Sequence, residues 1–410
     1  MSFSIAIIGS GMAGLAAAYG CRQQGHSVTV FEAQQGHGMD AHALSVAGGL
    51  VDVPLRVMSP ASWPSVIALA AEVGVGTFAV KTRVSCNWSD RKTWFRSGEL
   101  PLLKWPFAGS LRYMNPRGLR LGRGLLQLKG LTGALEQADS RETLEQVLQR
   151  QSFDPLFWRG LILPILTTIC TCEEKHLLQW PAAQLLGLLH GIVHDATLYR
   201  LQGGTSALVK GLAKDLPLYA GSPVAKVVEE GDKVRVHNDR GEGGLYDRVI
   251  IATQANQLQF LDASQFAREL QVLSDIRFDS GELWVHQDRR FLPAHRRDWT
   301  ALNFHMDREL KKPVFTVWVN AVEPSLNRDD EPVLQTWNPL FEPAPETVLA
   351  RVPLQRAVVH LGTARVHEQL QQWHQEPGRK VFFCGSWAHD GVPLLESAVR
   401  SAQSVVRCLN

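Results

Sequence analysis

The sequence predicts an α/β protein in which a dinucleotide-binding domain, assembled from separated stretches of chain, carries an inserted α+β domain. Three observations predict it. A strand, a glycine-rich turn, a helix and a second strand ending in an acid occupy the first 32 residues. Apolar strands return in mid-chain between Pro223 and Thr253. A final strand, Lys380–Gly385, and a helix rich in small residues, Pro393–Leu409, end the sequence.

The first unit carries the most chemistry. Ile5–Ile8 is a continuous apolar run bounded by a turn, the pattern of a strand buried on both faces. Gly9-Ser10-Gly11-Met12-Ala13-Gly14 follows. Gly9 permits the tight turn, Gly11 lets the backbone approach a pyrophosphate, and Gly14 lets helix and strand pack closely. Leu15–Gln24 reads as a helix whose start offers unpaired N–H groups and a positive dipole end to phosphate. Gly25-His26-Ser27 turns the chain into Val28–Phe31, which ends at Glu32, 23 positions after Gly9. A carboxylate there accepts from a ribose 2′-hydroxyl and repels a 2′-phosphate, which disfavours NADP. Together these elements predict dinucleotide binding, and this stretch alone leaves FAD and NAD both open.

Composition narrows the classes. Forty-two basic against 40 acidic side chains leave a charge of +2, so no global field gathers nucleic acid. Six irregularly spaced cysteines read as reduced thiols of a cytoplasmic protein rather than a disulfide framework. Ile5–Ala18 is interrupted by glycines and preceded by no basic segment, so it does not read as a signal peptide. No run reaches the roughly 20 apolar residues that span a bilayer; Leu156–Cys170 is broken by Arg159 and Pro164.

Residues 1–60, 200–260 and 365–410 are assigned to the nucleotide domain, and 61–199 and 261–364 to the substrate or cap domain. In the latter, Trp63–Val73 and Arg141–Arg150 read as helices, Val84–Phe95 as a hairpin, and Phe153–His194 as mostly helical. Gly281–His286 and Val314–Asn320 alternate as strands. Lys104, Arg112, Arg117, Arg120, Arg123 and Lys129 interleave with Leu, Trp, Phe and Tyr and with no acid. That stretch fits a solvated surface, with an anionic membrane face or a carboxylate-bearing substrate as the other reading. Cys170, Cys172 and His176 lack a fourth ligand and read as packing, with no metal site. His190 and His194 lack the glutamate of a metalloprotease motif. His360, His367 and His374 recur every seven residues and read as a solvated helix face. Trp284, Trp299, Trp318, Trp337 and Trp387 are either core residues or walls of an aromatic cavity.

Beyond the β-α-β unit, "VAKVVEEGDKVRVHN", "YDRVIIAT" and "VFFCGSWAHDGVPLLESAVRSA" resemble the flavin-containing amine oxidase superfamily, closest to its predicted NAD/FAD-binding amine-oxidase-like oxidoreductases. "VDVPLRVMSPASWPSVIALAAEVGV", "WPAAQLLGLLHGIVHDATLYRLQGGTSALVKGL" and "ELWVHQDRRFLPAHRRDWTALNFHM" extend the resemblance over nearly the whole chain. It implies a Rossmann-type, discontinuous FAD-binding domain with FAD held non-covalently. The pyrophosphate would lie at Gly9, Gly11, Met12, Ala13 and Gly14, the adenosine ribose at Glu32 and Ala33, and the adenine near Val224 or Val227. Gly38, Met39, Arg56, Ala252, Gly385, Ser386, Pro393 and Leu394 complete the implied cofactor set. The sequence departs from the family at Gly38-Met39, where relatives have two glycines. It departs again at Val53-Pro54-Leu55, and at Leu395-Glu396-Ser397-Ala398, where they often have His-Glu-Asp-Gly. These segments border the flavin ring in the family, so an altered reacting face is implied.

The resulting expectation is two-electron oxidation, by hydride transfer to flavin, of a hydrophobic amine, lipid-like or secondary-metabolite substrate. Oxygen or another acceptor would reoxidise the flavin. Arg56, Asn303, His305 and Asn320 are the candidate polar contacts in the pocket, with Glu396 beside the flavin. Lys311 and Lys312 sit in a turn-like setting that disfavours a role at the flavin. A non-catalytic flavin-binding protein and, less favoured, an NAD-dependent dehydrogenase remain the alternatives at this point.

Overall fold

The computed structural model describes residues 2–99, 106–108, 115–138, 141–194, 197–311, 313–327 and 329–409. Lys104, Arg112 and Lys312 lie outside them, as do the side chains of His190 and His194.

The β-α-β unit forms, with the helix starting at Met12 rather than Leu15 because the motif's last residues already wind into it: β1 is Ser4–Ile8, α1 is Met12–Gln23 and β2 is Ser27–Glu32. A five-stranded, wholly parallel sheet runs Leu218–Ala220, β2, β1, Arg248–Ile251, Val381–Phe383. Alternate β1 side chains enter different cores, as the period of two in a strand requires. Ile5 and Ile7 pack with α1 and the final helix, Leu395–Arg407. Ala6 and Ile8 pack with an antiparallel sheet, Val224–Glu230, Lys233–Asn238 and Gly243–Tyr246, and with the helix Thr363–His374. The parallel sheet is thus covered on both faces, which accounts for its apolar strands.

The rest is organised by an eight-stranded sheet. Its order is Val348–Val358, Arg277–His286, Leu334–Trp337, Val314–Trp318, Leu302–Met306, Val84–Trp88, Thr93–Glu99, Pro106–Ala108. All its pairings are antiparallel except that of Leu302–Met306 with Val84–Trp88. Helices between Pro116 and His194 close a core against it through Phe157, Ile162, Leu166 and Phe304. The helix expected from Arg141 begins at Leu144, because Thr143 and Gln146 form a reciprocal capping box that fixes its start. No helix among the described residues is long and apolar enough to cross a membrane.

The seven-residue histidine recurrence is not a solvated face. His374 is buried and its Nε2 accepts the N–H of Phe383 (3.1 Å), while His367 bonds the Trp387 carbonyl (2.8 Å). The helix turns Val366, Leu370 and Trp373 inward, and His374 falls on that stripe. Burial, then the nearby Arg379 charge, pushes His374 down to about 3, and burial pushes His286 down to about 4. Both lie below the ordinary 6.5, so in that window the unfolded chain binds protons that the folded chain refuses. Stability is therefore complete above pH 6.5 and falls on acidification, by about 1.4 kcal/mol per pH unit for each such group. Thermal melts between about pH 7 and pH 5 are expected to show this loss. His374→Gln, which keeps an acceptor but cannot titrate, is expected to flatten the slope; an unchanged slope would exclude His374 as a source.

Candidate functional site

Gly9, Glu32, Ala252 and Gly385 each stand at or just after the C-terminal end of a parallel strand, on the edge where such sheets bind ligands. The three motif glycines do different work. Gly9 has φ +100° and its N–H donates to the Phe31 carbonyl (2.8 Å). Gly14 has no alternative, since a Cβ there would lie 1.9 Å from the Gly9 oxygen. A Cβ at Gly11 would meet nothing within 4 Å, so the space before the helix is open. Gly11 is also the N-cap of α1 and supplies no side-chain cap, leaving the first-turn N–H groups of Met12 and Ala13 free for an anion.

Glu32 is buried beside this turn. Its carboxylate accepts from the Ser10 N–H (2.8 Å), the Ser10 hydroxyl (2.7 Å) and the Gln34 N–H (2.9 Å). Ser10 Oγ in turn accepts from the Gly38 N–H (2.8 Å), and the Ser10 carbonyl from the Met39 N–H (3.2 Å). Ser10, unassigned in the sequence reading, thus ties the acid and the Gly38-Met39 loop to the phosphate turn; a hydroxyl inside G-x-G was the available signal. A Cβ at Gly38 would approach Glu32 Oε2 to 2.8 Å, so any larger residue there would displace the carboxylate from its hydrogen bonds. Ala33 is exposed beyond the strand end, and Val224 is half-buried at the start of the antiparallel sheet. Ala252 borders Gly9 closely, its carbonyl 3.1 Å from a Cβ placed there.

After the edge strand Val381–Phe383, Gly385 exchanges hydrogen bonds with Ser401 (3.0 and 2.9 Å). Ser386 follows it, half-buried. Pro393 is buried, and Leu394 is the N-cap of the last helix with no side-chain cap. Open turn, uncapped helix starts and buried acid fit a dinucleotide with its pyrophosphate on α1.

A cavity of about 990 Å³ opens where Leu394 and Leu395 meet the segment Pro54–Val57. Its walls are predominantly apolar, and Arg56 and Trp337 belong to them. Arg56 Nη1 donates to the Pro54 carbonyl (3.0 Å), and burial lowers its pKa against the attraction of Asp52 and Asp40.

The structure does not bring Asn303, His305 or Asn320 to this cavity. On Leu302–Met306, Leu302 and Phe304 face it, and strand alternation turns Asn303 and His305 away. Asn303 binds Ser85 and Thr300, and Asn320 holds the loop through Asn327, Glu331 and Val333. His305 is half-buried with both ring nitrogens enclosed and without a hydrogen-bond partner, and that enclosure pushes it down to about 4, so it is neutral. Lys311 is exposed and paired with Glu309, away from the cavity. Glu396 accepts from the Ser65 and Val66 N–H groups (3.0 and 3.1 Å), capping the helix Pro64–Glu72. Of the five singled-out tryptophans only Trp337 lines the cavity; Trp299 and Trp318 pack edge to face, and Trp387 donates to the Thr253 carbonyl. Cys170 and Cys172 are buried free thiols, burial raising Cys172 to about 12. No group able to hold a metal ion occurs among the described residues.

Known proteins share this architecture. The structure superposes on putrescine oxidase bound to putrescine with a TM-score of 0.69 at 17% identity, covering 100% of this chain and 99% of that one. It superposes on a fatty acid isomerase from P. acnes with a TM-score of 0.67 at 16% identity, covering 98% of each chain. An oxidoreductase from Methanosarcina mazei gives 0.67 at 13% identity, covering 98% of this chain and 100% of that one. No curated protein matches the sequence. At these identities the structures establish the fold. The family model of flavin containing amine oxidoreductases matches residues 12–292. With the glycine turn, the buried acid and the adjoining cavity in place, the chain belongs to that family and is an FAD-dependent oxidoreductase.

Proposed function

We propose that this enzyme removes two electrons, as a hydride, from a carbon of a hydrophobic small molecule, using FAD held without a covalent bond. The observation that carries the reading is the large apolar cavity meeting the implied cofactor edge at Leu394, Leu395 and Pro54–Val57. Bound FAD supplies the two-electron acceptor, which oxygen or another oxidant regenerates. Gly9, Gly11, Gly14 and Glu32 would hold its adenosine diphosphate half, and Gly38, Met39, Arg56, Ala252, Gly385, Ser386, Pro393 and Leu394 the approach to its ring. Val224 would border the adenine, with Ala33 beside the ribose. Phe95, Leu161, Ile162, Phe304 and Trp337 exclude water and orient an apolar substrate. The chemistry asks little more of the protein than placement.

The purified protein is expected to be yellow, with colour released on denaturation. Anaerobic addition of a hydrophobic substrate is expected to bleach it. A colourless protein that cannot be reconstituted with FAD overturns the reading.

A further inference from the structure

The charged side chains that line the cavity are all cationic. Its lining includes Arg56, Lys81, Arg83 and Arg356, and no Asp or Glu among the described residues. Arg356 is the most telling. It lies on Val348–Val358, in the row Val348, Ala350, Val352, Leu354, Arg356, Val358, which faces one way by strand alternation. A cation thus stands in an otherwise apolar row that borders the cavity.

No carboxylate balances it. Arg356 forms no ion pair with any described residue. Asp279 is its cross-strand partner, but that carboxylate accepts from the Glu173 N–H (2.9 Å) and lies by His176 (3.8 Å). Burial and the repulsion of Arg56 bring Arg356 down to about 10, and Cys170 beside it offers a buried thiol with a raised pKa. Next along the chain Thr171, also in the lining, is 7% exposed and its hydroxyl has no hydrogen-bond partner. A half-buried guanidinium in an apolar wall with no carboxylate partner and a buried hydroxyl with no partner are costly unless something satisfies them. A carboxylate does so with a bidentate fork to arginine and a third bond to the hydroxyl.

We infer that Arg356 and Thr171, with Arg56 near them, receive the anionic head of an amphiphilic substrate whose hydrocarbon part fills the apolar cavity. The enzyme therefore selects a carboxylate-bearing molecule over a cationic amine. The inference deepens the oxidation proposed above, and rests on it only for what happens to the molecule once bound.

Binding of dodecanoate, dodecylamine and dodecanol to the purified protein tests it by calorimetry and by quenching of tryptophan fluorescence, Trp63 and Trp337 lying in the wall. Neither readout needs flavin, so a failure of head-group selection and a failure of flavin oxidation are separately visible. Dodecanoate is expected to bind at least about tenfold more tightly than either analogue. Arg356→Met, which keeps the aliphatic stem, is expected to remove that preference while leaving dodecanol binding in place. Arg356→Lys is expected to restore part of it, since lysine keeps the charge and loses the fork. Equal or tighter binding of dodecylamine by the unaltered protein overturns the inference. So does an unaltered preference in Arg356→Met; should that variant not fold, the selectivity of the unaltered protein decides.

Discussion

A Gly11→Val protein is expected to fold and to purify without flavin, whereas Gly14→Val is expected not to fold. The two glycines share one motif, yet the space around them differs. At Gly14 an added Cβ would sit 1.9 Å from the Gly9 carbonyl oxygen and 3.3 Å from Ala252 Cβ, at the crossing of α1 with the sheet. Little there can yield, because Gly9 is hydrogen-bonded into the turn through the Phe31 carbonyl, and Ala252, whose Cβ is the second neighbour, is held by its N–H on the Ile8 carbonyl. At Gly11 the same atom meets nothing within 4 Å, so the apoprotein tolerates it. The space it enters is where the pyrophosphate must approach the helix N–H groups, and a valine side chain there removes that approach. Flavin absorbance relative to protein absorbance, together with circular dichroism, separates the outcomes. A yellow Gly11→Val protein would contradict the pyrophosphate placement; a well-folded Gly14→Val protein would contradict the packing.

How far the sequence could be read depends on whether a feature is local. The first unit is set by contacts within about 30 residues, so periodicity and glycine spacing place it almost to the residue. The cavity is set by register between strands more than two hundred residues apart, as between Val84–Trp88 and Leu302–Met306. Choosing Asn303 and His305 as pocket residues assumed that polar side chains face the ligand. Here the strand turns Leu302 and Phe304 to the cavity, and the polar pair lies on the opposite side, Asn303 buried and His305 half-buried. The alternation of Val348–Val358 is regular, and Arg356 is the charge out of its pattern, legible without the structure. Arg56, a candidate pocket contact that falls inside a resembling block, does line the cavity. Ser10 and Glu396 act by bonding backbone across the fold, which no local pattern records.

The other large effect is expected at Arg200, which no motif marks. It is 1% exposed, between Asp52 at 3% and Glu323 at 8%. Its Nη2 donates to Asp52 Oδ2 (3.0 Å), and its Nη1 reaches Glu323 and the Val322 carbonyl. Thr205 satisfies the second oxygen of Asp52, and Ser325 that of Glu323. Such a group contributes little over an apolar replacement of all its members, but removing one member is severe. Arg200→Met leaves two carboxylates buried without their cation, and about 3–5 kcal/mol of stability is expected to be lost. Arg200→Lys is expected to recover only part, because a single ammonium cannot fork between two acids. The effect should reach the site as well. Asp52 is held at its carbonyl by Gln335 Nε2 (2.6 Å), and Gln335 Oε1 accepts from the Leu55 N–H (2.7 Å). The segment that delivers Arg56 to the cavity wall therefore hangs from this cluster. Denaturant titration followed by circular dichroism measures the stability loss, and ligand binding below the midpoint measures the displaced wall. A stability change under about 1 kcal/mol would mean that water or a shifted side chain neutralises the two acids, and the cluster would not be the anchor of that wall.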